Sequence, residues 1–170
     1  MQFIEPDLLS GEFRAYQVWP DGTRRQLVTE HNQIQYAGAN LLAKALAGNT
    51  TTMYKVVDIA LGPASTPPLA GPALKSAANP PFAYSRYASS QNEGGFQATP
   101  SISPVGVQSV VCTGMFTGSS STYYEFALLL NDTSTLSNRM ALAYWYTSTG
   151  ISWGIGTYLE IVWTLHFGVS

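Results

Sequence analysis

Between Tyr123 and Phe167 the chain writes three apolar strand patterns in succession, Tyr123–Leu130, Arg139–Tyr146 and Tyr158–Phe167, with only four charged side chains among these 45 residues. A sheet with so little charge must be covered on both faces or belong to something that assembles. The last segment alternates most cleanly. Leu159, Ile161, Trp163, Leu165 and Phe167 fall on one face, and Tyr158, Glu160, Val162, Thr164 and His166 on the other.

The rest of the composition narrows the class. Charged residues make up 11 % of the 170, against roughly 25 % in an average soluble protein. The deficit is uneven: residues 1–30 carry eight charges and the other 140 carry ten. Four Trp, ten Tyr and seven Phe exclude disorder as the reason for the missing charge. A net charge of −2 argues against a dedicated nucleic-acid binder, because phosphate neutralisation needs clustered Lys and Arg. The one adjacent basic pair, Arg24-Arg25, reads as a solvated hairpin tip. Cys112 is the single cysteine, which excludes an internal disulfide and predicts a small buried hydrophobe. The acidic, proline-broken start Met1–Asp7 is not a signal peptide. No apolar run approaches the ~20 residues of a membrane span. The expectation is a chain made in a reducing cytosol, with no membrane and no nucleic acid among its direct partners.

Along the chain a single domain over 1–170 is expected. Residues 12–30 read as a hairpin, with Glu12–Trp19 and Gln26–Glu30 flanking Pro20-Asp21-Gly22, where proline presets one angle and glycine accepts a positive one. A helix is expected over 33–48. Asn32 and Gln35 have capping-box spacing, and Ile34, Ala37, Leu41, Leu42, Ala45 and Leu46 form one stripe that Gly48-Asn49 ends. Tyr54–Leu61 is a strand. From Pro63 to Pro104 the chain holds eight of its ten prolines and only three charges, so 63–104 is expected to be an extended loop or arm on a neighbouring subunit. Within it Phe82–Ser89 reads as a short edge strand. Val105–Phe116 resumes strand character before a polar tip at Thr117–Thr122. The expected fold is mainly β, a jelly-roll-like β-sandwich with one α-helix packed on the sheet.

Chemistry is sparse, and the expectation is not an enzyme. His31 and His166 are the only histidines, no G-x-S-x-G turn is present, and no short-spaced ligand cluster or phosphate loop accompanies them. No catalytic residue, cofactor or metal is therefore expected. Asp58, Glu125 and Glu160 are embedded in predicted strands, and a cross-strand ion pair of Glu125 with Arg139 is expected in preference to a glycosidase dyad. The remaining candidates are surfaces. Tyr144, Trp145, Tyr146, Trp153 and Tyr158 cluster around what reads as one hairpin. Tyr144, Trp145, Tyr146 and Trp153, with Phe82, Tyr84 and Arg86 of the proline-rich segment, are the candidate interface residues. Carbohydrate stacking on the exposed aromatics is the competing use.

The order of certain pieces resembles small structural proteins of tailed double-stranded DNA phages. These are Asn32-Gln33-Ile34 running into a segment with Gly38 and Leu41-Leu42-Ala43, Ile59–Gly62 before a long loop, and Gly114-Met115-Phe116. Tyr124–Leu129, Arg139-Met140-Ala141 and Leu159–Leu165 complete them. The resemblance implies a virion protein: a capsid decoration (cement) protein that clamps neighbouring major capsid subunits and stabilises the shell, working as a homo-oligomer. The alternatives are a tail, collar or baseplate component of the same virion, or a carbohydrate-binding module for host adsorption.

Overall fold

The computed structural model describes residues 9–31, 33–34, 40, 43–44, 47–48, 54–63, 65, 86–87, 96–102, 108–132 and 140–167. They form eight strands: β1 (Leu9–Val18), β2 (Arg24–His31), β3 (Gln33–Ile34), β4 (Tyr54–Gly62), β5 (Arg86–Tyr87), β6 (Phe96–Ile102), β7 (Gln108–Asp132) and β8 (Met140–Phe167). All belong to one antiparallel sheet with the path β2-β1-β8-β7-β4-β5, to which β3 adds on β8 and β6 on β7. The two-sheet division of a jelly roll is thus not what the hydrogen bonding displays.

Two very long strands replace four expected ones. Of the expected strands, 108–116 and Tyr123–Leu130 are the two ends of β7, and 140–146 and Tyr158–Phe167 are the two ends of β8. The polar stretch Thr117–Thr122 is no turn, and no hairpin reverses the chain between Tyr146 and Tyr158. The ladder continues through bulges instead. Thr117 pairs with Tyr158, Ser119 with Trp153, Tyr123 with Ile151 and Glu125 with Tyr146. Surplus residues on β8 are absorbed at Gly150 (φ 68°) and Gly156 (φ 83°), left-handed angles that glycine adopts without a Cβ penalty. Opposite them Gly118 is pressed against the bulge. A Cβ there would lie 2.5 Å from the Gly154 oxygen and 2.8 Å from the Ile155 Cα.

The bulges divide the sheet into two ends that share β7 and β8. In one, β1 and β6 flank the pair: Phe13 lies opposite Trp163, and Ala98 opposite Cys112. In the other, β4 and β3 flank it: Leu61 lies opposite Phe126, and Ile34 opposite Ala143. Side chains from both ends meet in one core containing Phe13, Cys112, Phe116, Leu159, Ile161 and Trp163 from the first, and Ile59, Leu61, Phe126, Leu128 and Leu142 from the second. Phe13 is the hinge of this contact. Its ring lies 5.1 Å edge-on from Trp163 in its own end, 5.2 Å from Phe126 and 4.5 Å, nearly parallel, from Trp145 in the other. The clean alternation expected of β8 holds: Leu159, Ile161, Trp163 and Leu165 are buried, and Phe167 packs against them. A smaller cluster of Ala60, Ala127, Leu129, Ala141 and Tyr144 is buried on the opposite face of the β4–β7–β8 end.

The β1–β2 hairpin closes as its turn residues require. The Gly22 N–H donates to the Trp19 carbonyl at 2.9 Å, the Thr23 N–H to Asp21 Oδ1 at 2.9 Å, and Gly22 takes φ 84°. One other expectation is corrected. The helix over 33–48 is not seen as such. Gln33–Ile34 is strand, drawn onto the free edge of β8 at Tyr144 and Ala143, and helical conformation among the described residues there is confined to Asn40, Ala43 and Lys44. Tertiary strand pairing overrides the local capping and stripe signals at the start of that segment. Most of the segment 63–104 lies outside the described residues. Arg86–Tyr87 pairs with Leu61–Ala60 as the short edge strand, and Phe96–Ile102 pairs with Gly114–Gln108. β6 has a partner on one side only, so Pro100 can sit in it without breaking a ladder.

Three substitutions test this architecture. Phe13→Ala removes the ring that joins the two ends and is expected to cost about 3–5 kcal/mol, measured by urea unfolding. Gly118→Ala is expected to cost about 1–3 kcal/mol because backbone, not a flexible side chain, must move. Gly154→Ala, where a Cβ meets nothing within 4 Å, should stay within about 0.5 kcal/mol of wild type. Equal melting temperatures for the two glycine variants would show that the bend is not the constraint described.

Candidate functional site

The bulge geometry creates a groove beside the bend. On β2, Ala15 pairs with Val28 and Tyr16 with Gln26, so Leu27 is the extra residue of a β-bulge. That bulge lets two adjacent side chains, Leu27 and Val28, both half-buried, line the same cleft. The facing wall comes from β8: Trp145, Thr147 and Thr149 at alternate positions, followed by Gly150, Ile151 and Ser152. The groove is open to solvent, encloses about 280 Å³, and has no charged side chain in its lining. Trp145 is held from behind by Phe13 and by Phe126, at 5.4 Å. The Thr147 and Thr149 hydroxyls lie 3.0 Å apart, and the Thr149 N–H donates to Thr147 Oγ1 at 3.3 Å.

A second surface feature sits on the neighbouring bulge. Ile155, between Gly154 and Gly156, is 85 % exposed and is the exposed large hydrophobic residue of the described surface. Its sequence signal was the Gly-Ile-Gly triplet, an apolar residue between two residues that can turn the chain outward, which strand counting passed over.

The expected interface aromatics part company. Trp145 lines the groove. Tyr146 is half-buried, and its hydroxyl donates to the Ser65 carbonyl at 2.5 Å. Tyr144 and Trp153 are buried, so they are not surface residues: the Trp153 Nε1–H donates to the Thr117 carbonyl at 3.0 Å, and its ring packs 5.5 Å from Tyr123. Phe82 and Tyr84 lie outside the described residues. Arg86 is described through its backbone alone, in β5 against Leu61.

The embedded acids also separate. Glu160 is joined by Arg24 at 3.4 Å, a surface pair of the weak kind. Arg24 also stacks over the Tyr16 ring, while Arg25 donates to Gln17 Oε1 at 2.9 Å; the basic pair is engaged by β1 and β8. Asp58 is buried, and its Oδ1 accepts the Ile59 N–H at 3.0 Å. Glu125 is fully buried, and its Oε1 accepts the Tyr144 hydroxyl at 2.7 Å. Arg139, its expected partner, lies outside the described residues. The strands are antiparallel, and in register Glu125 faces Tyr146 while Met140 faces Leu130. Cys112 is a core residue whose thiol burial pushes up to about 12, so it stays protonated near neutrality. His31 is exposed at the end of β2, and His166 lies on the outward row of β8. No group of three potential metal ligands occurs among the described residues. No helix among them is long and apolar enough to cross a membrane.

In comparisons with protein-family models, with curated proteins and with solved structures, nothing matches this chain.

Glu125 yields a pH prediction. Burial raises its carboxyl above the ordinary value, with the Tyr144 hydrogen bond working the other way, and its Oε2 is buried with no hydrogen-bond partner. The fold therefore favours the neutral form. The stability this group contributes is fully present below the ordinary carboxyl value of about 4.3 and is lost as pH rises through the raised one. Glu125→Gln keeps an acceptor for Tyr144 and cannot ionise. Its urea stability should match wild type in acid and exceed it at neutral pH; parallel curves across the range would contradict the assignment.

Proposed function

We propose that this chain is a structural component of an assembled particle, acting through its surfaces, and that the two ends of its sheet form the layers of a β-sandwich body. Of the assemblies its sequence resembles, the head decoration (cement) protein of a tailed phage is the reading adopted. Its partners would be the major capsid protein and further copies of itself, and its place the virion. The observation that carries the proposal is Ile155. Covering the exposed Ile155 side chain with a partner surface takes its apolar area out of water, which favours association. The charge-poor composition supports the same reading, since covered faces need no charge. A cement protein that binds only the assembled shell stabilises it by mass action, adding its binding free energy to the shell's own.

Ile155→Asp is the test. The side chain contributes nothing to the core, so the melting temperature should be unchanged while co-sedimentation of the protein with particles falls at least about tenfold. Undiminished attachment would reject Ile155 as an anchor. The amount of protein in purified particles separates head from tail: abundance comparable to the major capsid protein supports a cement role, and a trace band assigns a tail, collar or baseplate position instead.

A further inference from the structure

We infer that the groove between β2 and residues 145–152 of β8 is a binding site for a neutral carbohydrate. The inference rests on the lining alone and stands whether or not the chain joins a particle. Its floor is an indole that cannot swing away, because Phe13 stacks on Trp145 at 4.5 Å and 19° and Phe126 closes from the side. A fixed aromatic plate offers a large apolar contact at little cost in conformational entropy. Its rim is hydroxyl. Thr147 and Thr149 are tied to each other, and Ser152 stands exposed beside them. Each hydroxyl both donates and accepts, which suits a ligand whose own polar groups are hydroxyls.

Charge decides against the alternatives. An anionic ligand needs a cation in the wall, and the lining has none. The basic residues of β2 are committed elsewhere, Arg24 to Tyr16 and Glu160 and Arg25 to Gln17. A purely apolar ligand would displace water from the exposed Ser152 hydroxyl and offer no partner in its place. A volume of about 280 Å³ lies at the small end of ligand sites. It accommodates on the order of one sugar ring, and the open mouth leaves the rest of a chain outside.

The experiment uses the full chain on an array of neutral and of acidic oligosaccharides, followed by titration of the retained neutral sugars against the indole N–H resonance of Trp145. Binding of neutral sugars that shifts this resonance is expected. Affinity should fall about tenfold in Trp145→Phe, which keeps a ring on Phe13, and several-fold in Ser152→Ala and Thr147→Val. Should Trp145→Phe unfold, Ser152→Ala decides the matter, since that side chain lies outside the core. Retention of acidic sugars alone, absence of binding by a folded protein, or affinity unchanged in the Ser152→Ala, Thr147→Val double variant would each overturn the site.

Discussion

The whole structure depends on the β7–β8 ladder staying paired while it bends. Two strands of this length cannot remain flat and still bury one face, because an open sheet has no second layer to pack against. The chain resolves this by inserting surplus residues into β8 on either side of Trp153 and Ile151, so that the same two strands serve both ends of the sheet. The hydrogen-bond ladder supplies continuity, and Gly118 allows the close approach of backbone to backbone that the bend demands. Phe13 then converts the bend into a core. It belongs by register to one end and by ring contact to the other.

This arrangement explains where the sequence could be read and where it could not. Period-two alternation in Leu159–Leu165 and the turn chemistry of Pro20-Asp21-Gly22 are local, and both have the form their residues predict. Strand character in β4 and in both ends of β7 and β8 was legible for the same reason. What local pattern cannot reveal is whether a polar interval reverses the chain or merely bulges it. Thr117–Thr122 and Thr147–Thr157 have the composition of hairpin tips, yet each is held in the ladder by a partner far along the chain. Ile34 misleads in the converse way: it fits a helical stripe, but the free edge of β8 takes it as strand. At the candidate site, Trp145 was legible as an aromatic of that region, and Leu27 and Val28 were not, because only the register shift brings adjacent residues into one wall.

Buried polarity is concentrated in two places with different consequences. Trp163 Nε1 is buried in the main core without a hydrogen-bond partner, a cost on the order of 1–3 kcal/mol that the packing of its ring must offset. Glu125 sits on the other face, amid a cluster whose members are mostly alanine. There the Tyr144 hydroxyl satisfies one carboxyl oxygen, and small neighbours leave little apolar surface to compensate for an ionised one. An indole N–H cannot change its state, whereas a carboxyl can take up a proton. The first is a fixed cost, and the second varies with pH.

Both proposed surfaces arise from the bend itself. The groove wall at Thr147–Ser152 and the projecting Ile155 are the residues that β8 sets aside in order to turn, and the glycines that permit the turn also aim them. At Gly150 a Cβ would meet Thr122 Cγ2 at 2.4 Å and Tyr124 Cε1 at 2.8 Å, at a φ that other residues resist. A side chain there would displace the Thr149–Ile151 wall before it reached the core. Bulges of this kind commonly re-aim side chains at functional positions. Here the ladder on either side anchors the two bulges that present groove and knob.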